Sequence, residues 1–233
     1  MTADEVHAWL DENADARGIA HWAKRYPDNP LRSVGIGLTR LRKFGKLIGR
    51  DHELSQALWN SPIYEARVVA LLIDEPKRIT REQAERQVEQ LQGGLLAHVF
   101  SSCDAQLARV PFVQELSEDW MVSDDPVRRR CGFGLLYEQS KSKKKSAPDE
   151  DWFSGWIAHI DAERESTDIG TLMAMGGALL GVGKRSVRLN IEALAVARAI
   201  GPIDWDPTGK CDPFDVVKHL DSDYLRKKLG LDR

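Results

Sequence analysis

An acidic residue beside an apolar helical stripe is the feature of this sequence that most directly suggests chemistry. Through the segment 95–109, apolar residues recur at helical spacing, at Leu96, Phe100, Cys103 and Leu107. The spacing predicts one continuous helix, with Asp104 at the edge of the stripe one turn after the ring of Phe100. A carboxylate in that position costs free energy unless it is paired, solvated in a cleft or used in a reaction. Asp104 is therefore the first candidate functional residue.

Three groups of basic residues lie on separate predicted helices. The segment 33–50 has no acidic residue and contains Arg40, Arg42, Lys43, Lys46 and Arg50. Within it, Arg42, Lys46 and Arg50 are spaced by four, so they are predicted to share one helix face. The other two groups are Arg128 to Arg130, and Lys184 with Arg185 and Arg188.

These basic groups indicate a polyanionic partner. If the helices stack as pairs, the groups can line one concave surface that neutralises backbone phosphates without reading base sequence. The candidate phosphate-binding residues are Arg42, Lys43, Lys46, Arg50, Lys184 and Arg185. Solvated helix faces with acidic neighbours are the alternative. Arg130 shares a helix side with Val127 and Gly134 and should face inward or into a cleft, where a buried salt bridge is the alternative to a functional role.

A glycine-rich segment, GGALLGVGKRS, fails as a phosphate-binding loop. That loop requires glycine where Ala178 stands and serine or threonine where Arg185 stands. Gly177 and the neighbouring glycines instead predict a helix that closely approaches another helix or a ligand backbone. The six histidines form no metal-binding pattern, so we expect neither a metal nor another cofactor.

The composition is that of an ordinary globular protein and excludes several classes. The chain has 233 residues and a net charge of -3, so a nucleic-acid role requires a local basic surface. Cys103, Cys131 and Cys211 form no CxxC pair, which indicates reduced thiols. We find no secretory leader and no apolar run of about 18 residues. We therefore expect a cytoplasmic protein without membrane association.

Helical patterns with short connections cover the chain. Ser33 is the predicted N-cap of a helix that ends near Ile48. The apolar segment IYEARVVALLID predicts a buried helix, with a buried strand as the competing interpretation. Residues 141–150, KSKKKSAPDE, predict an exposed loop. The fold class is therefore all-α, a superhelix of stacked antiparallel HEAT-like helix pairs in a single domain over residues 1–233, with an irregular bundle as the alternative.

Six segments in a fixed order carry a resemblance to a known family. They are SVGIGLTRLRK, ALWNSPIYEARVVALLID, the segment around Asp104, RRRCGFGLL, GALLGVGKRS and DPFDVVKHL. Together they resemble the AlkD-like DNA alkylation repair family, which comprises bacterial HEAT-like-repeat DNA glycosylases. The resemblance implies a right-handed superhelix of helix pairs whose basic concave face holds duplex DNA.

The resemblance also implies roles for individual residues. In the family, a cleft aspartate stabilises an oxocarbenium-like sugar as the cationic alkylpurine departs. Two tryptophans pack against the lesion's deoxyribose and backbone, and an arginine contacts DNA. Asp104 matches the aspartate and Arg130 the arginine, whereas Phe100 and Gly177 stand where the family has its tryptophans. The absence of these two tryptophans is expected to affect base excision more than DNA binding.

Three functional hypotheses follow. The first is a glycosylase for N3- or N7-alkylated purines that uses Asp104 electrostatically, Arg130 for DNA contact and Phe100 as a packing surface. The second is a non-catalytic binder of damaged or branched DNA. The third is a protein-binding helical scaffold. The DNA hypotheses are favoured, and the expected partner of the monomeric protein is double-stranded DNA, alkylated or branched.

Overall fold

The structure, a computed structural model, describes residues 1–206 and 211–231. Throughout these residues the chain forms helices joined by turns, and β-pairing is limited to isolated bridges of Arg32 with Ile63 and of Ile203 with Phe214. The prediction of an all-α chain is confirmed. Residues 207–210, part of a connection that the sequence predicts between the last helices, lie outside the described residues. Within the described ranges, no helix is long and apolar enough to cross a membrane.

The chain folds into two compact units, residues 1–113 (unit 1) and 114–233 (unit 2). The helices of unit 1 are α1 (Ala3–Glu12), α2 (Ala16–Arg25), α3 (Leu38–Ile48), α4 (His52–Trp59), α5 (Tyr64–Ile73), α6 (Arg81–Val88) and α7 (Leu96–Ser101). A 3-10 turn at Leu107–Arg109 follows α7.

Helix α8 (Val113–Met121) begins at the boundary between the units. The further helices of unit 2 are α9 (Pro126–Ser140), α10 (Glu150–Glu163), α11 (Ile169–Val182), α12 (Val187–Ile200), α13 (Val216–Leu220) and α14 (Asp223–Leu229). Between α9 and α10 the chain is non-helical, and Lys143, Lys144 and Lys145 are exposed there.

Helix α5 is the centre of unit 1. All of its residues except Arg67 are buried, and α3 and α4 both pack against it. A helix that is apolar around its whole circumference belongs in a protein core, which is why its sequence resembles that of a buried strand. The prediction of a buried helix is confirmed, and the strand alternative is wrong.

The prediction that Ser33 caps α3 is wrong, because α3 begins at Leu38. The hydroxyl of Ser33 instead donates a hydrogen bond of 2.5 Å to the carboxylate of Glu65 on α5. The backbone N–H groups of Val34 and Gly35 donate to the same carboxylate, at 3.0 and 2.9 Å. Glu65 is only 1% exposed. A buried carboxylate needs several hydrogen-bond donors. The hydrogen bonds to Glu65 therefore hold residues 33–35 outside the helix.

In unit 2, glycines allow close packing around α9. A Cβ added at Gly132 would lie 2.7 Å from the backbone nitrogen of Met121 on α8. At Gly181 on α11, the added Cβ would lie 2.3 Å from the hydroxyl of Ser140 on α9. Real Cβ atoms do not approach that closely, so the predicted close approach of the glycine-rich helix is confirmed at Gly181.

Candidate functional site

A cleft of about 380 Å³ lies in unit 1, bordered by α3, the end of α5 and the turn after α7. We call it the basic cleft. The described residues that line it are Arg42, Gly45, Lys46, Gly49, Arg50, Leu72, Asp104 and Arg109. Arg42, Lys46 and Arg50 line it together, as their spacing predicts, although Arg50 follows the end of α3. Four cationic side chains therefore surround the carboxylate of Asp104.

Apolar packing fixes the direction in which α3 presents its cations. Leu41 and Phe44 are 1% and 3% exposed, and the ring of Trp9 stacks on Phe44 with 3.7 Å between centroids. A Cβ added at Gly45 would lie 3.2 Å from Cβ of Leu72, so glycine allows α3 to lie close to α5. With this side of α3 buried, Arg42 and Lys46 are directed into the cleft.

The C-terminal end of α5 organises the other side of the cleft. Carbonyl groups in the last turn of a helix lack intrahelical partners and carry partial negative charge. The carbonyl of Leu72 accepts hydrogen bonds from Nη1 of Arg50 and, at 3.2 Å, from Nε2 of Gln106. The carbonyl of Leu71 accepts from the backbone N–H of Gln106 at 3.2 Å. The helix end thus holds one cation of the cleft and the turn that carries Asp104.

The predicted continuous helix over 95–109 is wrong, because α7 ends at Ser101. Cys103 and Asp104 then adopt left-handed conformations, with φ of 55° and 72°. Such a conformation costs a non-glycine residue about 1 kcal/mol. The side chain of Gln106, only 1% exposed, donates a hydrogen bond of 2.6 Å to the carbonyl of Asp104 and so stabilises the turn. Backbone strain of this kind clusters at functional sites.

Asp104 forms an ion pair with Arg42. Nε of Arg42 donates to Oδ2 of Asp104 at 3.0 Å, and Nη2 donates to the same oxygen. Hydrogen bonding from Arg42 lowers the pKa of the Asp104 carboxyl, burial opposes this shift, and the charges of Arg42, Lys46 and Arg109 reinforce it. The carboxylate is thus ionised at neutral pH, while about two-fifths of each side chain stays exposed.

The cations of the cleft also repel one another. Burial lowers the pKa of Arg50, and the positive charge of Arg109 lowers it further, whereas Asp104 raises it. An anion that enters the cleft would relieve this repulsion. The arrangement is therefore suited to hold an anionic group.

The prediction that Phe100 and Asp104 share one side of one helix is wrong, because Asp104 follows the end of α7. Phe100 is 1% exposed and is among the largest fully buried side chains of the protein. The break after Ser101 turns Asp104 away from the helical stripe, so the ring stays in the core. In this conformation Phe100 offers no surface to a ligand, so its ring is not exposed for the predicted DNA contact.

Arg130, on α9 of unit 2, lies beside Gly170 at the start of α11. Its two neighbours are paired with acids, Arg128 with Asp125 at 3.3 Å and Arg129 with Glu163 at 3.5 Å. In the described part of the chain, Arg130 has no carboxylate partner. The alternative of a buried salt bridge is therefore not supported, and the DNA contact of Arg130 stays a prediction.

Gly177, on α11, is partly exposed, and an added Cβ would meet nothing within 4 Å in the described structure. Unlike Gly181, it is not required for close helix packing. The position therefore has open space where the family has a tryptophan.

The two basic residues after α11 differ in their surroundings. Lys184 is exposed, and burial of part of its side chain, with the charge of Lys228, lowers its pKa. Arg185 donates to the carbonyls of Ser140 and Ser142, at 2.5 and 3.0 Å, and lies 4.4 Å above the ring centroid of Phe153. Arg185 therefore satisfies carbonyl groups at and just after the C-terminal end of α9. This structural role explains an arginine at this position without a bound phosphate. Lys43 on α3 is exposed, but the cleft lining does not include it.

Sequence reasoning did not identify Arg109 and Gln106 as parts of the site. A continuous helix over 95–109, as predicted, does not indicate that Arg109 lies near Arg42 or Arg50. Only the left-handed turn at Asp104 brings the 3-10 turn to the cleft. No local signal in the sequence marks Gln106, because its partners lie on α5.

Comparisons with known proteins agree with this fold. A solved structure described as "a new family of proteins related to the HEAT-like repeat DNA glycosylases with affinity for branched DNA structures" matches with a TM-score of 0.82 and 19% sequence identity. The match covers 99% of this chain and 97% of that one, which confirms the HEAT-like fold. No curated protein matches the sequence significantly. Residues 6–200 match the model of a family described as DNA alkylation repair enzyme, and the chain therefore belongs to that family.

Proposed function

We propose that this protein binds DNA through its backbone phosphates and that the basic cleft of unit 1 holds one of them. The observation that carries this proposal is the group of four cations, Arg42, Lys46, Arg50 and Arg109, gathered around one carboxylate. Phosphate contacts of this kind supply affinity and position without reading sequence. They suit a chain whose net charge is negative but whose basic residues are concentrated locally.

The ion pair of Arg42 and Asp104 supports binding rather than excision. A guanidinium can exchange a carboxylate for a phosphate with little change in geometry, because both accept paired N–H donors. Arg42 also keeps a positive charge beside Asp104, and a developing sugar cation would have to compete with it. The buried ring of Phe100 and the open position of Gly177 provide no exposed aromatic wall for a lesion.

We further propose that branched DNA is bound in preference to linear duplex. The solved relative comes from a family described as having affinity for branched DNA structures. A match over nearly the whole length of both chains makes branched DNA the first substrate to test.

The test is a fluorescence anisotropy titration with three labelled DNAs of equal phosphate number, a linear duplex, a three-way junction and a four-way junction. We expect binding to all three at low salt, tightest to a junction. The logarithm of the binding constant should fall linearly with the logarithm of salt concentration, by about 0.9 per phosphate contact. Undetectable binding to every DNA at low salt would falsify the proposal.

Base excision is the second candidate function, and the geometry of Asp104 favours it. The carboxylate is ionised and partly exposed, and a strained, clamped turn holds it in a cleft. A fixed carboxylate of this kind is the group that stabilises an oxocarbenium-like transition state. In this mechanism a DNA phosphate would draw Arg42 away and leave Asp104 to face the sugar.

Excision is tested by single-turnover release of N3-methyladenine and N7-methylguanine from methylated duplex DNA, with enzyme in excess. If the protein binds DNA without excising bases, the methylated purines should be released no faster than in the protein-free control. Release that requires Asp104, and that is lost in Asp104→Asn while DNA binding persists, would establish the glycosylase instead.

A further inference from the structure

Leu47, on α3, is the most exposed large apolar side chain in the described part of the protein, at 82%. The next is Tyr224 at 76%, whose hydroxyl group can be hydrated, followed by Val122 at 61%. Single exposed apolar residues are common on protein surfaces. The surroundings of Leu47 therefore decide whether its exposure has a function.

Those surroundings are cationic. Lys43 lies one helical turn before Leu47 and Lys46 immediately before it, and both are exposed. Arg50 follows after the end of the helix and is exposed as well. In the chain, Leu47 stands between two residues that line the basic cleft, Lys46 and Gly49. A partner that covers Leu47 must therefore be anionic around an apolar centre.

Leu47 is also carried by a well-packed helix. Phe44, one turn before Leu47, and Leu41, a further turn before, anchor α3 in the core of unit 1. Gly49 ends the helix with φ of 88°, a conformation that favours glycine, two residues after Leu47. The isobutyl group is thus carried at the last turn of a packed helix rather than on a loop.

We propose that Leu47 is an apolar wedge that inserts at an unstacked base step of branched DNA, while the basic cleft holds a neighbouring phosphate. This inference rests on the proposed DNA binding. DNA-binding proteins insert leucine and similar side chains between base steps, at the cost of unstacking them. That cost is smallest where bases are already unpaired, as at a branch point. Phosphate contacts supply affinity for junction and duplex alike, and the wedge adds a contact that favours the interrupted stacking of the junction.

The experiment compares the wild-type protein with Leu47→Gln, and uses Ile191→Gln as the matched control. Ile191 is an exposed aliphatic residue on α12, 59% exposed, so its replacement also removes an exposed apolar side chain. Affinities for the linear duplex and the junction are measured by anisotropy, and 2-aminopurine at the branch reports unstacking by fluorescence. Melting curves of all three proteins check folding, which we expect to be unchanged because neither side chain is buried.

In Leu47→Gln we expect junction affinity to fall about tenfold, with linear-duplex affinity nearly unchanged and the 2-aminopurine signal lost. Ile191→Gln should behave as the wild type. Duplex binding with a junction preference that survives Leu47→Gln overturns the wedge but leaves the proposed function standing. The absence of wild-type binding to any DNA overturns both. Leu47-dependent binding to anionic phosphatidylserine vesicles, with DNA binding insensitive to Leu47, would identify a membrane surface instead and also overturn the wedge.

Discussion

Arg42 and Asp104 are bound to each other in the free protein, through two donors of one guanidinium and one carboxylate oxygen. The cation best placed to hold a phosphate thus already has a counterion. Lys46 and Arg109 also favour the ionised carboxylate, since their charges help to lower its pKa. Asp104 therefore balances the cleft electrostatically in the absence of DNA and competes with a phosphate when DNA arrives.

This competition predicts that Asp104→Asn binds DNA more tightly than the wild type. Removing the carboxylate removes the ion pair that competes for Arg42 and a charge that repels phosphate, so we expect a gain of about threefold to tenfold at low salt. The salt dependence should steepen by about 0.9, as expected for one additional phosphate contact. Anisotropy titrations over a salt series measure both quantities.

The matched control for this variant is Asp124→Asn, which removes an exposed acid in unit 2. An equal gain in both variants would indicate a general charge effect and contradict the competition. Weaker DNA binding in Asp104→Asn would contradict it as well.

Lys46 and Arg109 should each contribute measurably to phosphate binding by the cleft. Lys46→Gln and Arg109→Gln are each expected to weaken binding to every DNA structure similarly and to reduce the salt slope by up to about 0.9. Both side chains are exposed, so thermal stability should not change. Arg188→Gln is the control, because Arg188 is engaged by Asp151 at 2.6 Å and Glu192 at 3.0 Å. A normal salt slope in Arg109→Gln would exclude Arg109 from the interface.

The sequence was sufficient for the helices whose signals are local. The residue pattern predicts one helix over His52 to Trp59 and another over Val187 to Ile200, and α4 and α12 have these bounds. Local apolar periodicity determines such helices, and tertiary contacts do not override it. The order of the family-like segments likewise identified the family, as the match over residues 6–200 confirms.

The details of the site were not predictable because they depend on contacts between distant residues. Asp104 is positioned by Gln106 and by carbonyls of α5, more than 30 residues earlier in the chain. The periodicity of Phe100, Cys103 and Leu107 fits a helix equally well, so the left-handed turn leaves no local signal. For the same reason the pair of Arg42 with Asp104, 62 residues apart, could not be deduced from spacing.

The buried carboxylate of Glu65 should be essential to unit 1. In Glu65→Gln, an amide NH₂ group replaces one of the two carboxylate oxygens that accept hydrogen bonds from Ser33, Val34 and Gly35. One buried N–H or O–H group therefore loses its acceptor. We expect a loss of about 2 to 4 kcal/mol in the free energy of unfolding, measured by urea denaturation. Glu12→Gln, at an exposed position on α1, should change it by less than about 0.5 kcal/mol. Equal stabilities of the two variants would show that Glu65 does not hold residues 33–35.

Gly177 and Gly132 should respond to alanine in opposite directions, although both lie inside helices of unit 2. At Gly177 the added methyl group meets nothing within 4 Å, so Gly177→Ala should raise the free energy of unfolding by about 0.5 to 1 kcal/mol through helix propensity alone. At Gly132 the methyl group would lie 2.7 Å from a backbone nitrogen of α8, which cannot move without the helix. We expect Gly132→Ala to lower the free energy of unfolding by about 1 to 3 kcal/mol. Urea denaturation of both variants measures the contrast, and destabilisation by Gly177→Ala would mean that this position is occupied in the native protein rather than open.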